Sequence, residues 1–155
     1  KDIKYEKKNL QLHMIGKLQS NKAKTAVQLF DFIHSLDNPK LADILSNTEK
    51  NLGRNLKYFI QVNVGNELQK SGISIGELES FYNYCFNEKN LNVIGLMVIP
   101  PNDNNSKKYF KTLKDLNLTL GLKDLSMGMS ADYHDAVLLD STYVRIGSSI
   151  FGKRN

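Results

Sequence analysis

Two short segments carry the residue types that could grip an oxyanion. The first is Ser126-Met127-Gly128-Met129-Ser130, and the second is Arg145-Ile146-Gly147-Ser148-Ser149. A phosphoryl group is held by N–H and O–H donors that converge on it. Glycine lets the backbone come close, and serine adds a hydroxyl. Gly147 and Ser148 offer consecutive backbone N–H groups, and Ser130 sits just before Ala131-Asp132, where a helix would begin. Each segment also has a plainer reading. Ser130 would cap its own helix, and Gly147 would only make a turn. Placed together at the ends of consecutive strands, the two favour the phosphate reading.

Arg145 lies inside an apolar strand pattern. A charge there is paired or functional, because burying it alone is costly. It is read either as half of an ion pair or as a group facing a ring nitrogen or a phosphate oxygen. The histidines are His13, His34 and His134. Their spacing matches no zinc motif, and the single cysteine, Cys85, does not supply one. His13 and His34 fall in adjacent strand patterns, as mouth-lining residues or as hydrogen-bonded core histidines. Met97 and Met129 fall near strand ends, as ligand contacts or as filler. Asn63-Val64-Gly65 and the loop through Lys70 to Gly72 follow another strand, as a rim contact or a plain exposed loop. The run Gly147 to Lys153 fits G-x-x-x-x-G-K, but Arg154 follows where a P-loop needs Ser or Thr.

The elements that must position these residues alternate along the chain. Strand patterns cover Leu10–Leu18, Phe30–Leu36, Lys57–Val64, Asn92–Ile99, Leu125–Met129 and Thr142–Ile146. Helical patterns cover Asn21–Leu29, a segment opened by Asn38 as N-cap with Pro39 at the first position, Ile75–Phe86, Ser106–Leu116 and Tyr133–Leu139. Roughly six βα units in a row imply a parallel sheet with right-handed crossovers, either doubly wound or a (β/α)8 barrel. A full barrel takes about 250 residues, and this chain has 155. As a barrel it is N-terminally truncated, and its first two strands lie outside this sequence.

Hydrophobic residues make up 41% and charged residues 24%, the balance of an ordinary globular domain. No apolar run reaches membrane-spanning length, and the charged first residues show no signal peptide. One cysteine excludes an intrachain disulfide and fits a cytoplasmic setting. The net charge of +5 is spread along the chain without interleaved aromatics, which argues against a nucleic-acid binder.

Several stretches in order carry a family resemblance: HMIGKLQSNK (His13 to Lys22), IHSLD (Ile33 to Asp37), VNVGNELQKSGI (Val62 to Ile73), IGLMVI (Ile94 to Ile99), LSMGMSADYHDAV (Leu125 to Val137) and STYVRIGSSIFGKR (Ser141 to Arg154). Together they resemble the pyridoxal 5′-phosphate homeostasis proteins, whose fold is that of the alanine racemase N-terminal barrel. The resemblance implies a carrier of pyridoxal 5′-phosphate (PLP) and not an enzyme, with a PLP-dependent racemase as the alternative. It implies that Ser130 and the backbone around Met129 hold the phosphate with Gly147 and Ser148. It implies that Arg145 faces the pyridine nitrogen, and that His13 and Met97 lie at strand ends near the cofactor. The family's Schiff-base lysine belongs to the first barrel strand, upstream of anything like Lys1–Leu10. The chain is therefore expected to hold PLP, or a phosphate or sulfate ion, without that lysine. Open barrel edges would also favour self-association.

Overall fold

The strands lie side by side in the order in which the chain makes them, and every pairing is parallel. The computed structural model describes residues 10–65, 67 and 71–152. Within them run β1 (His13–Met14), β2 (Phe32–Leu36), β3 (Lys57–Asn63), β4 (Ile73–Ser74), β5 (Asn92–Met97), β6 (Asp124–Met129) and β7 (Tyr143–Arg145). The main path is β1-β2-β3-β5-β6-β7, and β4 pairs with the end of β3 at Val62 and Asn63. A doubly wound sheet reverses its strand order at a switch point. No reversal occurs here, so the winding is that of a (β/α)8 barrel, present as an arc of six strands with the short β4 beside it.

Helices cover the outer face. They are α1 (Ala23–Leu29), α2 (Pro39–Leu52), α3 (Leu78–Asn83), α4 (Ser106–Thr119), α5 (Tyr133–Leu138) and α6 (Ser148–Phe151). The start of α2 is set by its sequence. The Asn38 Oδ1 accepts the Leu41 N–H at 2.9 Å, Pro39 occupies the first turn, and Gly53 ends the helix at φ 61°.

The strand side chains divide between two cores. Ile33, Tyr58, Ile60, Leu96, Leu125 and Met127 pack outward against Leu41, Leu45, Cys85, Phe110 and Leu113. Phe32, Phe59 and Met97 form a separate inner cluster, with Ile94 and Tyr143 against it. Both faces of β2 are buried along its whole length, as a parallel strand covered on both sides must be.

The structure trims several expected elements. β1 spans two residues and not Leu10–Leu18. The Leu12 N–H is taken by the Asp31 carboxylate at 2.9 Å, so ladder pairing stops there. β7 begins at Tyr143 because the Thr142 Oγ1 replaces a ladder partner, accepting the Leu125 N–H at 2.8 Å. The helix expected from Ile75 opens as a 3-10 turn and ends as a π-helical turn, Tyr84–Glu88. β4 falls between the loop that the sequence ends at Gly72 and the helix expected from Ile75. Two residues are too few to show a period.

Gly95 controls the β5–β6 seam. On its other side the β3–β5 register skips Ile94, and a Cβ at Gly95 would sit 1.9 Å from the Asp124 carbonyl oxygen and 2.9 Å from the Phe59 ring. The Gly95→Ala variant should lose about 2–3 kcal/mol of stability through this overpacking. Urea unfolding should show a lower midpoint with an unchanged slope.

Candidate functional site

A line of polar groups crosses the inner face of the sheet. It begins on β1, where His13 Nδ1 lies 2.9 Å from His34 Nε2 on β2. His34 Nδ1 lies 2.8 Å from the Ser126 Oγ on β6. That hydroxyl accepts from Arg145 Nη1 on β7 at 2.8 Å. The second guanidinium nitrogen donates to the Val98 carbonyl, also at 2.8 Å. Alternation along each strand delivers these residues to one face. By register His13 lies opposite Phe32 and Ser126 opposite Tyr143, so His34 and Arg145 each reach their partner from two residues further along the neighbouring strand.

Apolar rings enclose the line. His13 stacks on Phe32 with centroids 4.1 Å apart, and His34 stacks on Phe59 at 4.3 Å. The Tyr143 ring stands edge-on to His34 and Phe59. His34 is 1% exposed and Ser126 is fully buried. Burial drives the His34 pKa down to about 3, helped by His13 and by the Arg145 charge. Burial lowers His13 as well, against the opposing pull of Asp31. Arg145 comes down to about 10 through burial, with the Asp132 carboxylate acting the other way, and stays charged at neutral pH. No carboxylate lies within ion-pair distance of it among the described residues, so its partners are a hydroxyl and a carbonyl.

The two Gly/Ser segments face each other. The Ser130 Oγ accepts the Gly147 N–H at 3.2 Å and the Ser149 N–H at 3.4 Å. Ser130 therefore does not cap α5, whose N-cap is Asp132. Met129 differs from expectation on one point. Its N–H is bonded to the Asp132 Oδ1 at 2.7 Å, which takes that backbone donor out of an anion cup.

The small residues around Ser126 answer to packing as well as chemistry. Gly128 has φ 91°, and a Cβ there would sit 2.6 Å from the Ala136 Cβ and 3.0 Å from the Tyr133 Cα. Its missing side chain lets α5 lie directly on β6.

Two cavities open over these groups and share Arg145 and Gly147. One, of about 380 Å³, is lined by His13, His34 and Tyr143 among others. The other, of about 600 Å³, is bounded by Met129, Ser130, Ser148 and Phe151. Among the described residues neither is lined by an aspartate, a glutamate or a lysine. In front of Gly147 nothing lies within 4 Å of where a Cβ would stand. The donors are thus N–H and O–H groups beside one half-buried cation, with open space before them, which is the donor set a phosphate monoester requires.

Of the expected site residues, Met129, Ser130, Arg145, Gly147 and Ser148 border one cavity, and His13 lines the other. Met97 is fully buried in the inner cluster and borders neither, because Phe32 and Phe59 enclose it. On the loop after β3, the Asn63 amide is spent on the Glu67 backbone, and Lys70 lies outside the described residues, as do Lys153 and Arg154. The reading of the sequence passes over Ser126 and Tyr143 as site residues and leaves His34 undecided. The signal for Ser126 is a polar residue at the inward phase of an apolar strand, two positions from Gly128.

The profile of the alanine racemase N-terminal domain family matches residues 5–155. A protein of Aquifex aeolicus named pyridoxal phosphate homeostasis protein is 38% identical over 157 aligned positions, which cover 94% of this chain and 68% of that protein. One of Haemophilus influenzae with the same name is also 38% identical, over 95% of this chain and 66% of its own length. The chain thus spans about two thirds of the length of these relatives. PipY of Synechococcus elongatus, solved with PLP bound, superposes with a TM-score of 0.87 at 33% identity, over 97% of this chain and 74% of PipY.

A pH dependence follows from His34. Its folded-state pKa lies below its ordinary value of 6.5, so the unfolded chain binds the extra proton first. The contribution is complete above pH 6.5 and is lost as pH falls from there toward 3, at up to about 1.4 kcal/mol per pH unit. Denaturant melts of the wild type and of His34→Gln between neutral pH and about pH 5 should show a steeper decline in the wild type.

Proposed function

Because the chain belongs to the alanine racemase N-terminal domain family, we propose that it binds pyridoxal 5′-phosphate and acts as a carrier and buffer of that cofactor. The observation that carries this reading is the convergence of the Gly147 and Ser149 N–H groups on the Ser130 Oγ, beside Arg145. PipY was solved with PLP bound, and the bacterial relatives are named for pyridoxal phosphate homeostasis. Both support the same ligand.

Each residue has a definite task. The Gly147 and Ser149 N–H groups turn from the Ser130 Oγ to the phosphate, and the Ser130 hydroxyl rotates to donate to it as well. Ser148 and Met129 form the wall around it. Arg145, anchored by Ser126 and Val98, presents its charge toward the pyridine nitrogen. When bound, PLP supplies an aldehyde that condenses with amines and an electron-withdrawing ring. A guanidinium at the ring nitrogen keeps that nitrogen unprotonated, which weakens the electron sink and suits a carrier better than a racemase. Met97 acts from below, by supporting Phe32 and Phe59.

The titratable groups on the cavity walls also favour a carrier. Racemisation needs acid–base groups on both faces of the ring. His34 has both ring nitrogens engaged, and burial raises the Tyr143 hydroxyl. Among the described residues no lysine lines either cavity, and the contacts these residues offer the cofactor are noncovalent. We place this activity in the cytoplasm, where amino acids and keto acids draw on the PLP pool.

Titration with PLP, followed by its absorbance, tests the reading. Ser130→Ala should weaken binding about fivefold to tenfold, and Arg145→Gln by more than tenfold. Inorganic phosphate should compete in the wild type. Unchanged affinity in both variants would remove the site from these residues, and measurable alanine racemisation by the pure protein would restore the enzyme.

A further inference from the structure

The line from Arg145 to His13 has a direction, and that direction follows from counting protons. Arg145 is a donor only, so its Nη1–H fixes the Ser126 Oγ as an acceptor at one lone pair. The Ser126 hydroxyl has one proton of its own and is fully buried. Among the described residues its other partner is His34 Nδ1.

Two arrangements compete. If His34 carried its proton on Nδ1, Ser126 would accept from both sides. Its own O–H would then point at nothing, which is costly for a buried donor. If His34 carries its proton on Nε2, the Ser126 O–H donates to Nδ1, and the His34 Nε2–H donates to His13 Nδ1. Every proton in the line then has an acceptor. His13, receiving at Nδ1, must hold its own proton on Nε2. No partner for that nitrogen occurs among the described residues, and His13 lines the smaller cavity with His34, Tyr143 and Arg145.

We infer that Arg145 sets the tautomers of His34 and His13 through Ser126, and that His13 thereby presents a fixed Nε2–H donor to the cavity beside β1. His13 is a specificity-determining residue, and Ser126 and His34 are positioning residues that act through it. The ligand class is set accordingly. A molecule seated there must place a hydrogen-bond acceptor, an oxygen or nitrogen lone pair, opposite His13, in addition to the anion held at Ser130 and Gly147. A ligand offering a donor at that place meets a second donor and is rejected. The tautomer argument stands on the unliganded protein. Only the ligand arm of its test rests on PLP as the occupant.

Long-range proton–nitrogen correlation spectra of nitrogen-15 histidine-labelled protein, without ligand at neutral pH, read the tautomers directly. The expected result is protonated Nε2 and acceptor-type Nδ1 at both His13 and His34. In Ser126→Ala the His34 and His13 signals should move to a mixture of tautomers. A proton on His34 Nδ1 in the wild type, or an unchanged single tautomer in Ser126→Ala, overturns the inference.

The ligand arm uses His13→Phe, which keeps the stack on Phe32 and removes the donor. It should bind PLP about fivefold to tenfold more weakly, with inorganic phosphate affinity unchanged. Equal PLP affinity in His13→Phe and wild type overturns the specificity role. Failure of the wild type to bind PLP overturns the cofactor reading, while the spectra still decide the tautomers.

Discussion

A half-buried guanidinium with no carboxylate in ion-pair distance among the described residues sets the conditions for the rest of this site. Arg145 cannot release its proton near neutral pH, so each inward N–H must find an acceptor. Two elements supply them: the Val98 carbonyl just past the end of β5 and the Ser126 hydroxyl on β6. The cost then passes along the sheet. A buried hydroxyl that accepts from arginine needs an acceptor for its own proton, and His34 provides it. His34, once neutral and donating, needs His13. Four strands are tied together by one cation. Phe59 and Tyr143 pack around His34, so the buried His34–Ser126 bond is made in a medium where losing it is expensive.

The same constraint explains why the helical layer must come so close. The inward phase of β6 is occupied by Ser126, so β6 gains its apolar contacts from the outward phase, at Leu125 and Met127. α5 spans only Tyr133–Leu138 and has little surface to offer. Gly128 compensates by letting Ala136 and Tyr133 approach the strand backbone directly. Close packing of α5 in turn fixes the turn from Met129 to Asp132, from which Ser130 reaches across to Gly147. Backbone conformation, helix placement and hydroxyl position form one chain of causes.

Much of this was legible in the sequence, unevenly. The alternation of apolar and amphipathic runs carried the barrel reading, because parallel strands buried on both faces read as continuous apolar runs. Asn38-Pro39 marked a helix start that depends on local chemistry alone, and the structure has it there. Ser130 and Gly147 were legible as a pair because both need small polar residues at strand ends. β4 was not legible, being too short for a period. Ser126 and His34 were not legible as a pair, since 92 positions separate them and only the register of a sheet brings them together. Met97 misled because proximity to a strand end does not tell which side chains stand above it. The inner ring of Phe32 and Phe59 does.

The two ends of the site differ in burial, and the difference bears on the carrier role proposed above. The inner end is built on the buried His34 and Ser126, which bond to each other and to His13 and Arg145. The outer end is exposed, and its donors rest on the protein's own Ser130 hydroxyl. An anion entering there exchanges with an internal acceptor and does not fill a set of unmet donors. The free state is thereby stabilised, and the net gain on binding is smaller than the same donors would give if they stood unpartnered. A cofactor meant to stay for the life of an enzyme calls for the opposite arrangement. A protein that takes up PLP and gives it back is served by a pre-shaped ring side with fixed polarity, and by a phosphate side whose bonds are nearly as well satisfied without the ligand as with it.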